Sequence, residues 1–348
     1  MGLLTRLSAA NGRVIEGRAW IDPELDAALD QLPVVTPEQT VELALAHLRP
    51  IRTDPERHVQ ATEAFGKHFA KNADLVRARA GYPEPDDPET AADVLALLGT
   101  TLVERAWLVR GNGLASTVSG KSFGHFHTLL EEADHALVEA LRLVPGHPAA
   151  ATKRLATALG AGAPEDEWWE RFGVARQVRP TLYPAHRLML TSRCAKWYGS
   201  DEAMFRFARE VAAAAPPGDP VVAMLPLAHI EYFCAMGIRL PQGSDFANAP
   251  DAVRERQADV GAVIEASRRW CGQSGRLPPP HPRGIEAHQL FAGFFMWTEG
   301  QEQLTRWHLR QSKGRMSSQP WGYIPQRNLE AFRAAHVEFG VGLGRFAR

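Results

Sequence analysis

Apolar residues recur at steps of three and four along much of the chain, which is the spacing of one face of an α-helix. The clearest stretches run through residues 95–109, 129–144, 204–215 and 225–236. The sequence has no alternating run of β-branched and polar residues bounded by turns, so few strands are expected. The pattern therefore predicts an all-α fold.

Aspartate or threonine followed by proline marks the start of several of these stretches. The side-chain oxygen can accept from a free backbone N–H of the first turn, and proline suits a position that needs no donor. Thr36 with Gln39 also has the spacing of a capping box. We therefore expect helices to begin after Asp22, Thr36, Asp54, Asp87 and Asp219. A helix is also expected after Ser200, because the carboxylates of Asp201 and Glu202 are favoured near the positive end of a helix.

The segment 131–148 has the spacing of a helical repeat. Ala133, Leu137, Ala140 and Pro145 match the second helix and exit turn of a tetratricopeptide repeat, in which small alanines let two helices approach closely. Residues 200–218 carry a fainter copy. Short connections between helices favour antiparallel neighbours. Together these features predict antiparallel helical hairpins stacked as a tetratricopeptide-like α-solenoid.

Four segments carry a family resemblance: AWLVRGNGLASTV, YPAHRLMLTSRCAKWYGSDEAMFRFARE, LPLAHIEYF and QPWGYI. With them, residues 95–325 resemble an uncharacterised bacterial family of tetratricopeptide-like helical proteins, a domain of unknown function. Tyr198 stands where chains of that family tend to have glycine. The resemblance implies a helical repeat fold and assigns no catalytic residue.

Two proline-rich stretches suggest how the chain is organised. Residues 82–89 are rich in proline and acid, and 271–284 contain four prolines. We interpret the first as a hinge and the second as an extended surface loop. The predicted organisation is an N-terminal helical cap, 1–86, followed by a repeat array, 87–348, that contains the loop 271–284.

The charge balance argues against a nucleic-acid partner, because 39 Lys and Arg offset 40 Asp and Glu. A local excess in the last 48 residues, eight basic against three acidic side chains, keeps a polyanion partner open as an alternative. No apolar run is long enough for a membrane span, and residues 1–13 do not have the pattern of a signal peptide. Three widely spaced cysteines fit reduced thiols, so we expect a cytoplasmic protein without a membrane partner or cofactor.

An aromatic and basic cluster is the candidate for partner binding. Aromatic rings supply buried area, and neighbouring cations supply charge attraction. The predicted binding residues are Tyr183, His186, Arg187, Lys196, Trp197 and Tyr198.

A second candidate is a metal site. His127, Glu131 and His135 follow one another at steps of four, which places them on one helix face. Imidazole and carboxylate ligands suit zinc, manganese or iron. The sequence lacks a second such motif, and i,i+4 charge pairing on a solvated face explains the same spacing.

The sequence contains no phosphate-binding loop and no nucleophile motif. We therefore expect a non-enzymatic module that binds a protein or peptide. The alternative is a metal-binding protein or metal-dependent enzyme that uses His127, Glu131 and His135. His229, on the apolar stripe of its helix, is expected to be a hydrogen-bonded core imidazole.

Overall fold

The computed structural model of the protein describes residues 13–82, 86–111, 120–237, 256–272, 278, 280–323 and 328–343. These residues are predominantly α-helical, which confirms the predicted all-α class. The chain divides into an N-terminal unit, Asp22–Ser192, and a C-terminal unit that combines Arg193–Arg348 with Met1–Ile21. The boundary predicted at residues 86 and 87 lies inside the N-terminal unit.

Parts of three predicted features lie outside the described residues. They are residues 1–12 of the amino-terminal segment, 83–85 of the predicted hinge, and 273–277 and 279 of the predicted loop.

The helices of the N-terminal unit are α1 (Pro23–Gln31), α2 (Pro37–Leu48), α3 (Pro55–Phe69), α4 (Ala73–Ala80), α5 (Pro88–Arg110), α6 (Gly120–Leu143), α7 (Pro148–Ala161), α8 (Glu165–Val178) and α9 (Tyr183–Arg193). Short 3₁₀ turns, Leu32–Val34 and Arg49–Ile51, follow α1 and α2. No described helix is both long and apolar enough to cross a membrane.

The predicted capping residues start helices as expected. Asp22, Asp54 and Asp87 each accept from a backbone N–H of the helix that follows, and the capping box at Thr36 is complete. Ser200 caps the next helix of the chain in the same way, and Asp219 caps a 3₁₀ turn. These bonds satisfy N–H groups that have no partner inside the helix.

Helices α5 and α6 pack closely in the middle of the N-terminal unit. A Cβ atom at Gly99 would lie 2.5 Å from Leu137 Cγ and 3.0 Å from the Ala133 carbonyl oxygen. Ala133 and Leu137 are fully buried. The residue that permits this close approach is Gly99, which faces the Leu137 side chain and the Ala133 backbone oxygen.

The helices of the C-terminal unit are α10 (Asp201–Ala214), α11 (Met224–Ala235), α12 (Val260–Cys271), α13 (Gly284–Phe295), α14 (Glu302–Gln311) and α15 (Asn328–Glu338). Two short strands, β1 (Ile15–Glu16) and β2 (Arg315–Met316), pair in parallel. Two residues are too few for a period-two pattern, so the sequence does not predict these strands.

Candidate functional site

Three helices of the N-terminal unit bring two histidines onto one carboxylate. His58 on α3 and His147 before α7 place their Nε2 atoms 2.9 and 3.1 Å from Oδ1 of Asp93 on α5. The three side chains, here called the His–Asp–His centre, are at most 4% exposed. In the described part of the chain they are also the group of three potential metal ligands whose ligand atoms lie within 4.8 Å of one another.

Arg52 neutralises the carboxylate from the other side. Its guanidinium donates to Asp93 Oδ2 from Nε at 2.8 Å and from a terminal nitrogen at 2.6 Å, and it also reaches Glu89 at 2.9 Å. Burial acts to raise the pKa of Asp93, but the hydrogen bonds from His147 and His58 outweigh it and hold that pKa well below its usual range. Asp93 is therefore an anion at neutral pH.

The hydrogen bonds of His147 assign its tautomer. His147 is the N-cap of α7, and its Nδ1 accepts from the Ala150 N–H at 3.2 Å. The ring proton therefore sits on Nε2 and is donated to Asp93. Burial lowers the pKa of His147, against the opposing effect of the Asp93 hydrogen bond. His147 is thus a neutral ring with both nitrogens engaged.

The distances between the ligand atoms of the centre would suit a metal, but the positions of the hydrogen atoms on its imidazole rings would not. Tetrahedral ligands about 2.0–2.1 Å from zinc lie roughly 3.3 Å from one another, and the two Nε2–Oδ1 distances of 2.9 and 3.1 Å are only slightly shorter. His147 could offer Nε2 to a metal only if its proton moved to Nδ1, where it would face the Ala150 N–H. Arg52, bound to Asp93, would also repel a cation. The donor set does not fit a metal, and we assign a hydrogen-bonded ionic centre.

The predicted metal ligands lie elsewhere, on α6. His127 is half-buried, whereas Glu131 and His135 are exposed. The neighbouring Glu132 pairs with Arg77 at 2.6 Å. A metal role for His127, Glu131 and His135 stays a prediction.

Sequence spacing could not reveal the His–Asp–His centre, because its two contacts join residues that are 35 and 54 positions apart. One local signal was present. His147 precedes Pro148, in the order of a capping residue and a helix-starting proline.

The predicted binding residues are divided between the two units. Tyr183 and His186 are buried in the N-terminal unit, where the His186 ring packs on Phe172 at 4.9 Å, and Arg187 is half-buried. In the C-terminal unit, Lys196 bonds the buried Glu231.

Of the other two, Trp197 is half-buried and Tyr198 is 53% exposed. The rings of Tyr183 and His186 therefore fill a core, and the binding role of the set stays a prediction.

The N-terminal unit has an open groove that the sequence does not predict. The chain around the first 3₁₀ turn and the start of α2 forms one side, and the segment from the end of α3 into α4 forms the other. Its volume is about 610 Å³. The residues that give it chemical character are Leu32, Val35, Phe69, Lys71, Asn72 and Leu75. We call this the α2–α4 groove.

The C-terminal unit buries a second pair of imidazoles. His288 on α13 and His308 on α14 share a hydrogen bond between their Nδ1 atoms at 2.9 Å. His308 Nε2 lies 3.0 Å from Ser267 Oγ, and the Trp270 ring covers His288 at 4.2 Å. Burial lowers the pKa of His288 to about 3. We call these two residues the histidine pair.

His229 lies in the core, as predicted, between the rings of Phe205 and Phe294, both at 4.8 Å. Neither ring nitrogen has a hydrogen-bond partner among the described residues, and the nearest carboxylate oxygen, on Asp259, is 3.8 Å away. Burial lowers the pKa of His229 to about 4. The expected hydrogen bond is therefore absent from the described part of this core.

Comparison with family models, with curated proteins and with solved structures gives no match for this chain.

Proposed function

We propose that the protein is a non-enzymatic helical module, built from stacked tetratricopeptide-like hairpins, that binds an extended peptide segment of a protein partner. The α2–α4 groove is the observation that carries this proposal. A volume of about 610 Å³ suits a few side chains of a peptide.

The groove combines an apolar floor with free polar groups at its rim. Leu32 and Phe69 are buried below it, and the neighbouring Val34 is 80% exposed. Contiguous apolar surface of this kind, rather than a single exposed side chain, is what favours a partner. Val34 extends the apolar surface that Leu32, Val35 and Leu75 provide. The apolar surface favours a peptide with aliphatic or aromatic side chains.

The charge at the rim favours an acidic residue in that peptide. Asp74 is paired with Arg77 at 2.7 Å, whereas Lys71 makes no ion pair with any described residue. Asn72 precedes α4, but its side chain makes no capping hydrogen bond. Its amide is thus available to a peptide backbone, as the Lys71 ammonium is to a carboxylate.

The burial of the polar centres supports binding rather than catalysis. The His–Asp–His centre and the histidine pair are at most 5% exposed. A catalytic group must come within hydrogen-bond reach of its substrate, and these rings face other side chains instead.

A displayed random-peptide library tests the proposal. We expect the full-length protein to select apolar peptides with a conserved acidic position. Lys71→Glu should weaken binding of a selected peptide by about tenfold or more, because a repulsive contact replaces an attractive one. The affinity would be measured by calorimetry.

Lys67→Glu is the matched control, because Lys67 is an exposed lysine on α3 that does not line the groove. It carries the same charge reversal and should leave peptide affinity within about twofold. Equal losses in both variants, or selection of peptides without an acidic position, would contradict the proposed groove.

A further inference from the structure

A histidine holds the start of α7, and its two ring nitrogens make different hydrogen bonds. Nδ1 of His147 accepts from the Ala150 N–H and caps the helix, and Nε2 donates to Asp93 on α5. Only the neutral ring with its proton on Nε2 satisfies both bonds. A second proton would occupy Nδ1, where two N–H groups would then face each other.

We propose that His147 is an acid-sensitive latch: a proton that binds its Nδ1 releases the N-terminal turn of α7 from α3 and α5. The ligand of this site is thus a proton rather than a metal. The proposal does not depend on the groove or on the partner.

The groups that face His147 come from three other parts of the chain. Asp93 on α5 and His58 on α3 contact it directly, and Arg52, after the second 3₁₀ turn, lies beyond the carboxylate. Farther out, Glu89 pairs with Arg52. Arg52 already balances the buried Asp93, so an added proton would have only the exposed Glu89 as a further counter-charge.

Two further effects oppose that proton. It would sit at the positive end of the α7 dipole, where cations are disfavoured. His58 does not compensate the added charge either, because its Nδ1 is buried without a hydrogen-bond partner among the described residues. Burial lowers the pKa of His147. The hydrogen bond and the charge of Asp93 act to raise it, but burial is the larger effect.

The direction of that shift sets the pH range of the latch. A histidine whose pKa is lower in the folded state than in the unfolded one stabilises the fold fully above about pH 6.5. This stabilisation is lost progressively as the pH falls from 6.5 towards the folded value. Acid therefore opens the latch, and neutral pH closes it.

The middle of α7 has a separate attachment. Lys153 lies 3.1 Å from Glu63 on α3 and 3.4 Å from Glu104 on α5. Burial acts to lower the pKa of Lys153, but the charges of Glu63 and Glu104 outweigh it and raise that pKa, so Lys153 stays a cation. We therefore expect the proton to loosen the first turn of α7 before the rest of the helix.

Hydrogen exchange of the full-length protein tests the latch. After correction for intrinsic rates, protection of the amides in the first turn of α7 should fall as the pH is lowered from about 7.5 to about 5. The protection factor should fall about tenfold for each pH unit between 6.5 and the folded-state pKa of His147. Only the pH units within the titrated range count. In His147→Asn the protection should stay constant, because the Asn oxygen caps the helix and does not titrate.

His135→Asn is the matched control, since His135 is an exposed histidine on the neighbouring α6. It should follow the wild type across the titration. Equal acid-dependent losses in the wild type and in His147→Asn would overturn the latch.

A second measurement keeps the proposal testable if His147→Asn does not fold. Nitrogen-15 NMR of the wild-type imidazoles at about pH 7.5 should show the His147 proton on Nε2. A proton on Nδ1 at that pH would also overturn the latch.

Discussion

Each unit buries two histidine rings against each other, but their surroundings differ. The rings of His58 and His147 lie 5.0 Å apart and share Asp93, which Arg52 balances. The rings of His288 and His308 lie 5.2 Å apart, and a serine hydroxyl and aromatic rings surround them.

A nearby carboxylate can compensate part of the charge of a protonated imidazole, whereas aromatic carbon cannot. This difference teaches that burial alone does not fix the acid response of a histidine. The histidine pair faces Lys313, whose charge lowers the pKa of His288 further. In the His–Asp–His centre, Asp93 opposes the same trend for His147. The C-terminal unit should therefore resist protonation more strongly, and lose more stability in acid.

The largest expected effect is acid destabilisation of the C-terminal unit. The pKa of His288 is about 3 in the folded protein, against 6.5 for an ordinary histidine. Its contribution is complete above pH 6.5 and is lost as the pH falls towards 3, by up to about 5 kcal/mol at about 1.4 kcal/mol per pKa unit. Hydrogen exchange at stepwise lower pH should show α13 and α14 losing protection to a greater extent than α3 and α5. The reverse order would contradict the comparison.

A smaller loss is expected when Asp93 is neutralised. Asp93→Asn leaves the Arg52 guanidinium without its buried counter-charge and puts an amide where two imidazoles donate. Removal of one partner of a buried ion pair costs about 3–5 kcal/mol, and we expect the lower end because Arg52 is 21% exposed. Chemical denaturation at about pH 7.5, followed by circular dichroism, measures the change.

Glu89→Gln is the control for that substitution. It removes the other carboxylate bound to Arg52, but the side chain of Glu89 is 64% exposed. Its loss should be below about 1 kcal/mol. Similar losses for the two variants would mean that Asp93 does not act as a buried counter-charge.

Local signals made the helices predictable from the sequence, but they did not make the contacts between helices predictable. The starts of α2 and α3 follow from Thr36 and Asp54, because a capping residue and its helix are adjacent in sequence. Each of these signals depends on residues a few positions apart.

The centres depend on distant residues. Asp93 sits in an apolar helical stretch, where nothing local shows that His58 and His147 will meet it. The sequence predicts Tyr183 to be a binding residue because aromatic rings occur both in cores and in binding sites. The structure buries its side chain in a core, which the sequence could not show.

The smallest expected effect compares one hydroxyl in each centre. Ser267→Ala leaves the buried His308 Nε2 without the oxygen that lies 3.0 Å away, among rings that offer no replacement. A buried polar group without a partner costs about 1–3 kcal/mol, so the C-terminal unit should lose that amount of stability.

Thr90→Val removes a hydroxyl bonded to Arg52 at 2.9 Å in the N-terminal unit. Arg52 keeps Asp93 and Glu89, so this loss should be below about 1 kcal/mol. Denaturation of both variants at about pH 7.5 measures the difference, and a larger loss for Thr90→Val would show that the charged centre depends on each of its hydrogen bonds.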